Sequence, residues 1–130
     1  MIDAAALDLL GESAYVRLTT FRKNGTPVPT PVWVVRDGDH LLVTSNATAG
    51  KVKRLGHTPR VTLTPCDVRG RVADGAVEHE GTAVVIRDAD QQRRLNQLLI
   101  AKYGIQARLL FIGSRIRRAE SACLDITSGT

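Results

Sequence analysis

Residues 26–35 read TPVPTPVWVV, and this stretch combines the residue types of a β-strand with prolines at positions 27, 29 and 31. Successive amides of a strand point to opposite edges, so alternating prolines remove hydrogen-bond donors from one edge only. We therefore predict an edge strand with no normal partner on that side. Two interpretations stay open: the prolines protect the edge from aggregation, or a planar heterocycle lies along it.

Length and composition indicate an ordinary globular protein. The 130 residues predict one domain, residues 1–130, and 43% hydrophobic against 24% charged residues excludes a disordered chain. The net charge of +5 favours anionic partners. Two cysteines, Cys66 and Cys123, form neither a disulfide framework nor a zinc motif. The N-terminus lacks signal-peptide features and no apolar run could span a bilayer, so we expect a cytoplasmic protein.

The first half of the chain predicts three consecutive antiparallel strands. Residues 15–22 alternate with strand period, and Asn24-Gly25 then gives a strong hairpin signal before the proline strand. A second turn at 37–39 precedes the strand 40–46. Together these segments predict a meander.

The remaining segments add helices and three more strands. We predict helices at 4–12, within 47–59, from Asp88 to Lys102 with Gly104 as C-cap, and at 105–117, and strands at 60–66, 76–87 and 120–127. The fold class is therefore mainly β: a six-stranded antiparallel, closed or partly closed barrel with flanking helices at its openings.

A second informative segment, TSNATAGKVKR (44–54), predicts a phosphate site. Its hydroxyl and amide side chains, Thr44, Ser45, Asn46 and Thr48, precede Gly50 and a helix start that carries Lys51, Lys53 and Arg54. Free N–H groups, a glycine and nearby cations suit a phosphate, although the spacing is not that of a P-loop. The alternative is a solvated basic helix face. A heterocycle site beside a phosphate site indicates a flavin-like nucleotide.

The segments YVRLTTFRKNGTPVPTPVWVV, LLVTSNATAGKVKRLGHTPRVTLTPCDVRGRV and EGTAVVI resemble the pyridoxamine-phosphate-oxidase-like split β-barrel superfamily. More narrowly, they resemble its F420-dependent oxidoreductases of the flavin/deazaflavin oxidoreductase B group. The resemblance covers about residues 14–127 and implies a homodimer with cofactors at the subunit interface.

By position, the resemblance also implies roles for individual residues. Lys51, Lys53 and Arg54 would hold the cofactor phosphate, Thr44 and Ser45 would line the ribityl path, and Pro31, Val32 and Trp33 would border the ring. Ala49 stands where some relatives carry a basic residue, which leaves the choice between F420 and FMN open.

The resemblance implies hydride transfer between reduced deazaflavin and an unsaturated or quinone-like small molecule. The cofactor carries such chemistry, and none of His40, His57 and His79 stands in a triad or metal spacing. Alternatives are an FMN enzyme of the same fold and a non-catalytic carrier of flavin, deazaflavin or haem. A nucleic-acid-binding domain is disfavoured, because the sequence shows no recognition helix or aromatic platform.

Overall fold

The computed structural model describes residues 2–46, 49–106 and 121–128. They form seven strands and three helices: α1 (Ala4–Glu12), β1 (Tyr15–Phe21), β2 (Pro27–Val32), β3 (Val35–Asp37), β4 (His40–Asn46), α2 (Gly50–Leu55), β5 (Arg60–Cys66), β6 (His79–Ile86), α3 (Ala89–Tyr103) and β7 (Ser121–Thr127). None of these three helices is long and apolar enough to cross a membrane. The proposed basic helix at 105–117 falls almost wholly outside the described residues, as does Thr48.

All seven strands belong to one antiparallel sheet in the order β2-β1-β5-β6-β7-β4-β3. The mainly β, antiparallel architecture with flanking helices is confirmed, with seven strands instead of six. The additional strand arises because residues 26–35 do not form one strand: β2 ends at Val32 and β3 begins at Val35.

The two-residue linker Trp33-Val34 brings the two edges of the sheet close together. β2 and β3 are the two edge strands, yet only two residues separate them. That linker can span about 11 Å at most, so the two edges must approach each other and the sheet must curl. The predicted meander is therefore only partly correct: β1 and β2 form its first hairpin, but the strand His40–Asn46 pairs with β3 and β7 instead of β2.

Two tight turns were located correctly. The β1–β2 connection contains Gly25 at φ +88°, and the Asn24 side chain accepts a hydrogen bond from the Thr26 amide at 3.0 Å. The β3–β4 connection has Gly38 at φ +62° between paired residues Asp37 and His40. Gly38 adopts the left-handed conformation in a two-residue turn, and Gly25 adopts it at the end of a three-residue turn, across which the Arg22 amide donates to the Thr26 carbonyl at 3.0 Å.

Strand alternation divides the hydrophobic residues between two clusters. The interior cluster takes the inward side chains of the strands together with residues of α1 and α2, including Leu10, Leu18, Val43, Leu55 and Leu63. The outer cluster lies where α3 packs on β3, β4 and β7 and contains Val35, Leu42, Leu95, Leu99 and Cys123. α3 begins as predicted, because Asp88 accepts a hydrogen bond from the Gln91 amide and caps the helix.

Candidate functional site

The helix α2 places its basic residues next to β1. Val52 and Leu55 are buried in the interior cluster and fix one face of the helix. Its N-cap, Ala49, makes no side-chain capping bond, so the first amides of the helix have no side-chain acceptor at that position. The other helix face carries the partly buried Lys51 and Arg54.

Arg54 is held in a defined orientation. Its Nε donates a hydrogen bond of 2.6 Å to Oγ1 of Thr20, a β1 residue that is only 1% exposed. A Cβ added to Gly50 would lie 2.8 Å from Arg54 Nη1, so the guanidinium folds back over the start of α2. Glycine at position 50 thus leaves room for a charged group at the helix start.

Arg54, Lys51 and Arg22 form what we call the cation cluster. Burial lowers the pKa of Lys51, and the positive charge of Arg54 lowers it further. Burial, followed by the charge of Arg22, likewise lowers the pKa of Arg54. Among the described residues, no carboxylate forms an ion pair with any of the three cations. The cluster therefore holds neighbouring like charges that an anion would neutralise.

Lys53 differs from its neighbours on α2. Its side chain is exposed, and it takes no part in the ion pairs between described residues. The structure therefore brings Gly50, Lys51 and Arg54 together and leaves Lys53 on the solvent side.

The proline strand lies at the edge of the sheet, as predicted. Among the described strands, β2 pairs with β1 alone, and Pro27, Pro29 and Pro31 are exposed. Pro31 contacts the β5–β6 connection, because a Cβ on Gly70 would lie 3.5 Å from Pro31 Cδ. Val32 instead points into the interior cluster and is 9% exposed. Pro31 is therefore exposed at the sheet edge, whereas Val32 is not.

Trp33 lies in the linker between the two edge strands and stacks on Tyr103 of α3. The ring centroids are 4.4 Å apart and the planes differ by 8°. One face of the indole is thus covered by the tyrosine ring. The remaining face and edge are all that Trp33 can offer a ligand.

Thr44 and Ser45 point to opposite faces of β4. Thr44 lies on the α3 side, where its Oγ1 accepts a hydrogen bond of 3.4 Å from Gln92 Nε2. Ser45 faces the interior, is 8% exposed, and donates to the Asn46 carbonyl at 3.2 Å. Because consecutive strand residues alternate, the two hydroxyls do not share one path along the strand.

Sequence reasoning missed Thr20, Arg22, Lys102 and Tyr103. Thr20 did carry a signal: it continues the inward series of Val16 and Leu18, and a buried hydroxyl needs a partner. Lys102 was interpreted only as a helix C-terminal cation. No local sequence pattern pointed to Tyr103, because the residues that it contacts lie far away in the chain.

The described residues contain no group of three or more histidine, cysteine or acidic side chains that could hold a metal ion. Cys66 and Cys123 are free thiols. Burial is the main cause that raises the pKa of both, to about 11 for Cys123, so neither resembles an activated nucleophile.

Known proteins match the chain at the level of family and fold. The family described as Pyridoxamine 5'-phosphate oxidase matches residues 2–128. No curated protein matches the sequence.

Three solved structures illustrate the similarity of fold. The conserved hypothetical protein Rv2991 from Mycobacterium tuberculosis is 20% identical with a TM-score of 0.71, over 96% of this chain and 79% of that one. HutZ, the heme storage protein from Vibrio cholerae, is 13% identical with a TM-score of 0.70, over 99% and 91%. A protein named F420 reductase is 20% identical with a TM-score of 0.62, over 92% and 90%. At these identities the likeness shows the fold alone, a split β-barrel.

Proposed function

Because the chain belongs to the pyridoxamine 5'-phosphate oxidase family, we propose that it is an oxidoreductase that binds a flavin-type cofactor, F420 in the first place and FMN as the alternative. The observation that carries the proposal is the cation cluster. Among the described residues, no carboxylate forms an ion pair with Arg22, Lys51 or Arg54. Lys51 and Arg54 belong to a helix that begins with Gly50, and the charge of Arg22 acts on Arg54. A phosphate group is the anion that fits this arrangement.

In this proposal the cluster holds the cofactor phosphate, and the sheet edge borders the ring. Lys51 and Arg54 contact the phosphate, with Arg54 oriented by Thr20 and Lys53 at the solvent rim. Pro31 and Trp33 border the ring, while Val32 supports them from the interior. β1 links the two parts, because it pairs with β2 and carries Thr20.

The preference for F420 rests on the resemblance of the segments at 15–35 and 50–55 to deazaflavin enzymes. It is also consistent with the shared fold of the F420 reductase structure. When bound, reduced F420 would supply a hydride to an unsaturated or quinone-like small molecule. The residues named above then bind, orient and shield the cofactor, which is the protein's share of such chemistry.

The proposal includes a homodimer with the cofactor at the subunit interface. This part rests on the resemblance to the split β-barrel superfamily, which implies two subunits with the cofactor between them. Sedimentation equilibrium with and without cofactor tests this part.

Cofactor titration tests the proposal directly. F420 and FMN are each titrated into the wild-type protein, Lys51→Ala and the control Lys23→Ala, which removes an exposed lysine in the β1–β2 turn. We expect micromolar F420 binding, weaker FMN binding, a loss of about tenfold or more in Lys51→Ala and little change in Lys23→Ala. Binding of neither cofactor overturns the proposal, and tighter FMN binding selects the alternative.

Turnover is tested separately from binding. Wild-type protein and reduced F420 are mixed with a panel of enones and quinones, and F420 absorbance is followed. Oxidation that depends on both the protein and the substrate supports the reductase. Tight F420 binding without turnover across the panel would instead indicate a carrier.

A further inference from the structure

Trp33 is the only tryptophan of the chain, and its indole is held by a side chain from a distant helix. Tyr103, in the last turn of α3, stacks on it with centroids 4.4 Å apart and nearly parallel planes. Parallel aromatic stacking fixes the orientation of both rings. The direction in which Trp33 meets a ligand is therefore set by α3.

Tyr103 is itself held in place by hydrogen bonds of its hydroxyl group. Its hydroxyl accepts a hydrogen bond from the Val34 amide at 3.1 Å and donates to the Ala14 carbonyl at 2.8 Å. Burial raises the pKa of Tyr103, which keeps this donor protonated. The hydroxyl thus anchors the ring to the residue that follows Trp33 in the chain.

Lys102 stabilises the same part of the chain, the linker between β2 and β3. Its Nζ donates to the carbonyls of Gly11, Ser13 and Val34 at 2.8, 2.7 and 2.6 Å. The ammonium also lies 5.0 Å from the centroid of the Tyr103 ring. The final turn of α3 therefore fixes the backbone on one side of Trp33 and the indole ring itself.

We infer that Tyr103 is a positioning residue for cofactor binding: it holds the Trp33 indole so that the part of the indole that Tyr103 does not cover borders the planar ring of a flavin or deazaflavin. The inference rests on the proposed function. It adds a residue that lies outside both the cation cluster, which is proposed to bind the phosphate, and the edge strand β2. Tyr103 acts through Trp33 and needs no contact with the cofactor.

The single tryptophan supplies a direct readout. Excitation at a wavelength selective for tryptophan reports Trp33 alone, and a heterocycle beside the indole should quench its emission. We would titrate F420, and separately FMN, into wild type, Tyr103→Phe and Tyr103→Leu while following Trp33 emission and cofactor fluorescence. Leu98→Ala, which loosens the packing of α3 on the outer cluster but keeps the stack, is the matched control.

For the inference we expect four results together. Wild-type Trp33 emission is quenched on binding, Tyr103→Phe retains most of the quenching, and Tyr103→Leu loses most of it. Cofactor affinity falls about three- to tenfold in Tyr103→Leu, the range of one stacking interaction. Leu98→Ala lowers the unfolding temperature but leaves the quenching at saturation unchanged.

Other outcomes separate this inference from the proposed function. A cofactor that binds wild type and quenches Trp33 equally in Tyr103→Leu overturns the positioning role alone. Binding that never quenches Trp33 also overturns that role and places the ring elsewhere. If neither F420 nor FMN binds wild type, the proposed function fails and the positioning role fails with it.

Discussion

The ammonium of Lys102 lies 2.6 Å from the carbonyl oxygen of Val34, at the point where the chain crosses from one sheet edge to the other. Val34 lies between β2 and β3 and takes part in no strand ladder. Lys102 and Tyr103 satisfy its carbonyl and amide instead. Side chains from α3 therefore stabilise the junction that closes the sheet, where backbone pairing is missing.

Lys102→Met should destabilise the protein. The substitution keeps most of the side-chain stem and removes the donors that serve three carbonyls. Loss of these partly buried bonds should lower the free energy of unfolding by about 2 kcal/mol. Urea denaturation measures it as a lower midpoint at an unchanged slope. Lys23→Met, in an exposed turn, is the control and should stay within about 0.5 kcal/mol of wild type; an equal effect in both variants would contradict the role of Lys102.

The linker between β2 and β3 also shows which parts of the fold could be predicted from the sequence and which could not. The bounds of β4 (His40–Asn46) and β5 (Arg60–Cys66) follow from local alternation and turn residues, and they match the predicted ranges. The break at Trp33-Val34 has no local signal, since VWVV reads as uninterrupted strand. Its cause is the contact with side chains 68 and 69 residues further along the chain.

The candidate site likewise contains residues that the sequence predicts and residues that only the fold brings together. Lys51 and Arg54 could be found because a basic helix start is a short-range pattern. The bond from Arg54 to Thr20 spans 34 residues, and the stack on Trp33 joins the end of α3 to the linker at residues 33–34. Contacts between residues so far apart in the chain cannot be predicted from a single sequence.

Lys102 should titrate at about pH 8 in the folded protein. Burial lowers its pKa from 10.5 to about 8. Between these values the unfolded chain binds more protons than the folded one, so the contribution of this residue to stability rises as pH increases from 8 to 10.5. The ¹³Cε shift of Lys102, assigned by its absence in Lys102→Met, should show a midpoint of about 8. A midpoint that remains at 10.5 in the folded state would contradict this expectation.

The contribution of His40 to stability should change with pH in the opposite sense to that of Lys102. Its Nδ1 lies 2.6 Å from Asp125 Oδ1, and this hydrogen bond raises the pKa of His40 above 6.5. A raised pKa means that the pair stabilises the fold fully below 6.5 and that this contribution is lost as pH rises through the folded pKa. Proton NMR of the imidazole should give a midpoint above 6.5 in wild type and a lower one in Asp125→Asn. Identical midpoints would show that the pair does not form in solution.

Lys51→Met should stabilise the cofactor-free protein while it weakens cofactor binding. Lys51 and Arg54 repel each other, and each pKa is lowered by burial and by a neighbouring cation. Removal of one charge should raise the free energy of unfolding by about 0.5 kcal/mol at low ionic strength. In about 1 M salt the Debye length is only ~3 Å, so the gain should shrink.

Arg94→Met is the matched opposite case. Arg94 forms two hydrogen bonds of 3.1 Å to the Asp37 carboxylate, so loss of its charge removes an attraction instead of a repulsion. Urea denaturation at two salt concentrations should show opposite signs for the two variants, both smaller at high salt. If Lys51→Met destabilised the cofactor-free protein as Arg94→Met does, Lys51 would have a hidden carboxylate partner. The cation cluster would then already be neutralised, and the argument that it awaits a phosphate would lose its basis, because a site kept ready for an anion must cost the empty protein some stability.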